Sequence, residues 1–127
     1  MNNQNTRGPA LARAAEAMLR ALGGSEIKLR CPVAAASDDQ ARQLGMEAPL
    51  TEDISIAPVV VRASGDAVEL LIAPSSVAQY MQDRGQTAEQ FFAAVLAVLH
   101  GGRELRVRLF HVEHFAGAEY LYRLTVA

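Results

Sequence analysis

Cys31 is the only cysteine in 127 residues, so the chain can close no internal disulfide and build no multi-cysteine zinc site. A reducing compartment is the expected setting. Lysine is almost missing too, with Lys28 alone, and Arg carries nearly all of the positive charge. The formal net charge is -2 and basic residues are interspersed with acidic ones, so the sequence offers no extended field for a phosphate backbone. Nucleic acid is not an expected partner. The longest uninterrupted apolar run, Phe91 to Leu99, is about half of the roughly 20 residues that a bilayer span requires. Met1 to Pro9 is polar and Asn-rich, without the apolar stretch of a secretory signal. Cytoplasmic synthesis without membrane insertion is expected.

Catalytic and nucleotide signatures are missing as well. There is no Gly-x-Gly-x-x-Gly or Walker sequence, no Gly-x-Ser-x-Gly frame around Ser75-Ser76, and no His-Glu-x-x-His pair. The acidic pairs Asp38-Asp39 and Glu52-Asp53 lack the oxygen-ligand spacing of a calcium loop. The expectation is a non-enzymatic protein without a cofactor.

Half of the residues are hydrophobic and a fifth are charged, a balance that supports one packed core at this length. A flexible polar tail is expected over 1–9 and a single α+β domain over 10–127. Leu11, Ala14, Ala15, Met18, Leu19 and Leu22 recur at helical spacing, with Pro9 suited to the first turn and Gly23-Gly24 to the stop. Ile27, Leu29, Cys31 and Val33 alternate with Glu26, Lys28 and Arg30, which predicts a half-buried strand whose end, at Pro32, reaches an edge or leaves the sheet. Ser37 or Asp38 is a candidate cap for a short helical turn through Leu44, followed by a loop over 46–53.

Ile54–Arg62 and Ala67–Ala73 read as a hairpin around Gly65-Asp66, with Pro58 pushing the first strand toward an edge or a two-part course. Val59-Val60-Val61 and Leu70-Leu71-Ile72 are apolar on both faces, so this hairpin needs cover on both sides. Ser76 with Gln79 and Thr87 with Gln90 have capping-box spacing, with Gly85 between them as a stop. The second helix is predicted to place Ala88, Phe91, Phe92, Val95, Leu96 and Leu99 on one face and to end at Gly101-Gly102. Arg103–Val112 and Glu119–Val126 close the chain as a hairpin with Leu109 opposite Leu124, Val107 opposite Val126 and His111 opposite Tyr122, and with Arg108, Phe110, Arg123 and Thr125 on the other face. The resulting expectation is an antiparallel or mixed sheet of about five strands, with an N-terminal helix and a central helical pair packed on it.

With no convergent catalytic set and a surplus of apolar strand surface, protein–protein contact is the leading functional expectation. The candidate interaction residues are Val59, Val61, Leu71, Arg108, Phe110, Tyr120 and Arg123. A homo-oligomer or a complex with other proteins follows. The alternative is a small-ligand or metal site at the C-terminal hairpin, formed by His111, Glu113, His114 and Tyr122. It requires a bend or bulge, because residues three apart on a strand point to opposite faces. A third reading places single-stranded nucleic acid on Arg103, Arg106, Arg108, Phe110 and Arg123. Cys31 lies in line with core positions and reads as packing rather than as a nucleophile.

Two stretches, EDISIAPVVVR at 52–62 and EYLYRLTVA at 119–127, together with the LGG turn and the strand following it at 22–30, resemble small prophage-encoded structural proteins of the head–tail neck or tail region. The resemblance implies a non-enzymatic building block that joins copies of itself or neighbouring rings through strands and mobile arms. In that case the protein would belong to the virion.

Overall fold

The structure, a computed structural model, describes residues 3–33 and 50–127. The helical turn expected from Ser37 or Asp38 to Leu44 and the start of the following loop lie outside the described residues. Helix α1 (Asn3–Ala21) leads into strand β1 (Ser25–Pro32); then come β2 (Thr51–Ser64), β3 (Ala67–Ile72) and a 3-10 turn at Pro74–Ser76. Helices α2 (Ala78–Arg84) and α3 (Ala88–Ala93) precede β4 (Ala97–His100), β5 (Arg103–Leu105), β6 (Val107–Phe115) and β7 (Ala118–Val126). The strands form one seven-stranded sheet in the order β5-β4-β1-β2-β3-β7-β6, and every neighbouring pair is antiparallel.

This corrects the expected five-stranded sheet with a central helical pair. The predicted long helix over Thr87–Leu99 stops at Ala93, and its second half is β4, which pairs Lys28 with Leu99 and Arg30 with Ala97 along β1. The helical period of the apolar residues is real, but β1 would otherwise leave a row of backbone groups unpaired on that side. Satisfying them outweighs the small helical preference of the segment. Gly101 and Gly102 consequently do not stop a helix. Both have positive φ (57° and 75°) and make the two-residue turn of the β4–β5 hairpin, in which His100 faces Arg103. A helix stop would need one left-handed residue and this hairpin needs two. Gly101→Val and Gly102→Val are therefore each expected to lower stability by about 1–2 kcal/mol, with the double variant near the sum, as read by urea denaturation.

The outer strands of the sheet, β5 and β6, are separated in sequence only by Arg106. Arg106 exchanges backbone hydrogen bonds with Ala127 at 2.9 and 3.0 Å. The sheet therefore curls so that its two end strands are joined through Arg106 without pairing with each other, which gives it an inside and an outside. The interior cluster joins alternate residues of the strands (Leu29, Ile56, Val59, Ile72, Tyr122, Leu124) to Val77, Phe91 and Phe92 from the helical segment. Outside, α1 lays Ala15 and Leu19 on Val60, Leu71, Ala73 and Leu121. The second cover of the two-sided hairpin is thus the chain's own helix.

Local rules hold well elsewhere. Gly23 (φ 82°) and Gly24 end α1 with bonds from their N–H groups to the carbonyls of Arg20 and Leu19. Thr87 and Gln90 form a complete capping box, and Gly85 ends α2 in the left-handed region. Ser76 is not a helix cap; its hydroxyl donates to the Ala57 carbonyl at 3.0 Å. Pro58 divides β2, whose first part pairs with β1 and whose second part, from Val59, pairs with β3. At Pro32, β1 has already lost its β4 neighbour. No helix among the described residues is long and apolar enough to cross a membrane.

Candidate interaction surface

The outer face of β2, β3, β7 and β6 carries charges of alternating sign. Arg62 pairs with Glu69 at 2.7 Å, Glu69 with Arg123 at 3.8 Å, and Arg123 donates to Glu113. Alternation of side chains puts all four on one side of the sheet, one on each strand. Isolated exposed pairs of this kind contribute about 0.2–1 kcal/mol each. Their greater effect is to fix register, because a slip by one residue would turn every charge into the core.

A second group ties the other half of the sheet together. The Arg30 guanidinium donates to Asp53 at 3.0 Å and to Glu104 at 2.8 Å, and these bonds, Asp53 first, hold its charged form more firmly than in water. Arg84, at the end of α2, donates to Glu52 on β2 and clamps that helix to the sheet.

The β6–β7 register differs from expectation by one residue. Val107 faces Val126 as predicted, but an extra residue at Arg108 makes Leu109 face Thr125, Phe110 face Leu124, His111 face Arg123 and Val112 face Tyr122. A one-residue bulge exchanges the faces of everything that follows it. Phe110, placed outside by sequence periodicity, therefore turns inward, with its ring 4.9 Å from Phe92 and 5.7 Å from Tyr122. Leu109 turns outward and is 68% exposed, as is Phe115 at 63%.

The other candidates fall on both sides of the wall. Val59 is fully buried in the interior and Val61 packs against that cluster, whereas Leu71 is buried beneath α1. Tyr120 flanks α1, its hydroxyl 3.5 Å from the Met18 sulfur. Arg108 is exposed at the bulge and Arg123 belongs to the charge ladder. The signal that would have found Leu109 is weak, since Val107, Leu109, Phe110 and Val112 are all apolar and only the bulge decides which pair faces out.

His111, Glu113, His114 and Tyr122 are not brought together. His111 and Glu113 lie on the outer face, His114 falls on the opposite alternation, and Tyr122 is buried with its hydroxyl donating to Glu119. Among the described residues no three His, Cys, Asp or Glu side chains converge in a way that could hold a metal. Of the arginine group, Arg106 donates to the Leu96 carbonyl and Arg123 is held by two carboxylates, so Phe110 and these arginines form no stacking face. Ser75 donates to Glu16 at 2.9 Å and ties the 3-10 turn to α1.

Burial pushes the Cys31 thiol up to about 11, the opposite of what an activated nucleophile needs. The Tyr122 phenol is also raised, by burial first and then by its bond to the Glu119 carboxylate. Both groups are neutral in the fold, whereas an unfolded chain would release their protons from about pH 9 and 10. Their contribution to stability is therefore complete below pH 9 and is lost as pH rises toward their folded values. The expected result is a urea midpoint that falls above pH 9, with a shallower fall in Cys31→Ala and Tyr122→Phe.

Beside Phe115 an open apolar groove of about 470 Å³ runs between α1 and the β6–β7 turn, lined by Ala10, Leu11, Phe115 and Ala116. Comparison with protein-family models, with curated proteins and with solved structures finds no match to this chain.

Proposed function

We propose that this protein is a non-enzymatic structural or adaptor component that works through protein–protein contacts, of the kind used in phage-type head–tail or tail assembly. It is made in the cytoplasm and enters the virion if that assembly is its setting. The observation that carries the reading is the outer face of β6, where Leu109 (68%) and Phe115 (63%) both stand exposed on one strand and Phe115 borders an apolar groove. Two apolar anchors on one strand face, with His111 and Glu113 between them, offer a partner both apolar area to bury and polar groups to pair. The test is the size of the native complex. In gentle extracts of cells that express the chain from its own gene, it is expected to elute from gel filtration well above the monomer position. Elution as a monomer at native abundance would overturn the reading.

A further inference from the structure

Among the described residues β6 pairs only with β7, so the opposite edge of this strand has no strand partner. Free edges are usually protected by lysine, proline, a bulge or an inward charge. From Leu109 to Phe115 the sequence LFHVEHF has no lysine, proline or glycine, and the bulges of this hairpin fall at Arg108 and on β7 opposite Glu113–His114. The helix α3 touches the inward-facing Phe110 and lies across open clefts from Leu109 and His111; Leu109, His111 and Phe115 stay exposed, and Glu113 is half-buried beside Arg123.

We propose that β6 pairs antiparallel with β6 of a second copy of this chain, with Val112 on the two-fold axis. This inference rests on the contact function proposed above and names the partner and the register. With Val112 opposite itself, Leu109 meets Phe115 of the second copy and His111 meets Glu113 of the second copy, each pair occurring twice because the contact is symmetric. Exposed apolar residues then cover one another, and the imidazole faces a carboxylate. Neighbouring registers lose this match. Centring on His111 sets Leu109 against Glu113 and His111 against itself, whereas centring on Glu113 sets two carboxylates together. Shifts by half steps place outward residues against inward ones.

Two further features fit the same register. The charge ladder crossing the sheet ends on β6 with Glu113, already paired with Arg123, and in this register His111 of the second copy extends the ladder by one more hydrogen-bonding group. Leu109 of the second copy also arrives next to the groove that Phe115 shares with Leu11 and Ala116, which gives the leucine an apolar seat.

The experiment uses the full chain and two kinds of variant. Light scattering over a concentration series is expected to show the mass of two chains, and Leu109→Glu is expected to weaken the dimer at least about 100-fold while leaving nearly unchanged the urea midpoint measured at concentrations where both chains are monomeric, since Leu109 is exposed in the single chain. Mixing Leu109→Cys with Phe115→Cys chains under mild oxidation is expected to give a cross-linked heterodimer, while neither variant cross-links with itself. A purified chain that stays monomeric, or a dimer that Leu109→Glu does not weaken, or cross-linking of Leu109→Cys with itself, would overturn the pairing. If the native complex nevertheless elutes above the monomer, contact function stands and only this surface falls.

Discussion

Phe92→Ala is expected to lower the stability of the chain by about 3–5 kcal/mol, enough to bring a small domain close to unfolding at room temperature. The side chain is fully buried, and its ring lies 5.1 Å from Phe91, 4.9 Å from Phe110 and 5.5 Å from Tyr122. Each such pair adds about 0.5–1.5 kcal/mol beyond area burial, so truncation removes both the transfer energy of one ring and several edge contacts. The hole cannot close easily. Helix α3 has only six residues, and Phe91 and Phe92 are its anchors in the interior. Leu96→Ala is the informative companion. A helix running on to Leu99 would make Leu96 a core residue, but in the observed fold it lies in the link between α3 and β4 and is 41% exposed. Its truncation is therefore expected to stay within about 0.5 kcal/mol of the parent in urea denaturation, as for other positions outside the core. Equal losses at both positions would favour the long helix instead.

That comparison isolates where local pattern and global fold part company. Strand β1 was legible because its alternation is strict and only one of its faces is apolar. The Ala67-to-Ser64 hairpin and the Thr87 cap were legible because glycine at positive φ and a hydroxyl at N-cap have local reasons to be there. Strand β4 was not. Phe91, Phe92, Val95, Leu96 and Leu99 satisfy a helical period, and nothing within the segment announces that β1, some 70 residues earlier by the Lys28–Leu99 pairing, needs a neighbour. The interaction surface was hidden for a related reason. The segment from Val107 to Val112 is apolar at both alternations, so a single inserted residue at Arg108 chooses between Leu109 and Phe110 as the outward side chain. The outer position of Arg123 was placed correctly, but its partners on β3 and β6 emerged only with the register.

The attachment of α1 should fail locally before the sheet fails globally. Leu19→Ala is expected to cost about 2–4 kcal/mol, and that loss should appear as undocking of the helix rather than as a uniform loss of stability. The helix is Ala-rich, and among its residues from Ala10 onward it fully buries only Ala15 and Leu19, against Val60, Leu71, Ala73 and Leu121, so one leucine is much of the grip of that part. The interior cluster lies on the other side of the strands and does not include Leu19. Amide exchange in α1 is therefore expected to accelerate by roughly 100-fold, while amides of β1, β2 and β3 change far less. A uniform acceleration would show instead that helix and sheet are one cooperative unit. Gly24 tests the same joint from its end. A Cβ there would lie 2.8 Å from the Leu19 carbonyl oxygen and 2.9 Å from the Pro58 Cβ, so Gly24→Ala should wedge the helix off the sheet and reproduce the local signature. At Gly23, by contrast, no atom lies within 4 Å of an added Cβ, and Gly23→Ala meets only the strain of φ +82°, about 1 kcal/mol. Undocking would uncover Leu71 and Leu121 on the face that carries Tyr120. The Leu19→Ala chain is accordingly expected to bind a hydrophobic dye and to aggregate at concentrations where the parent chain does not.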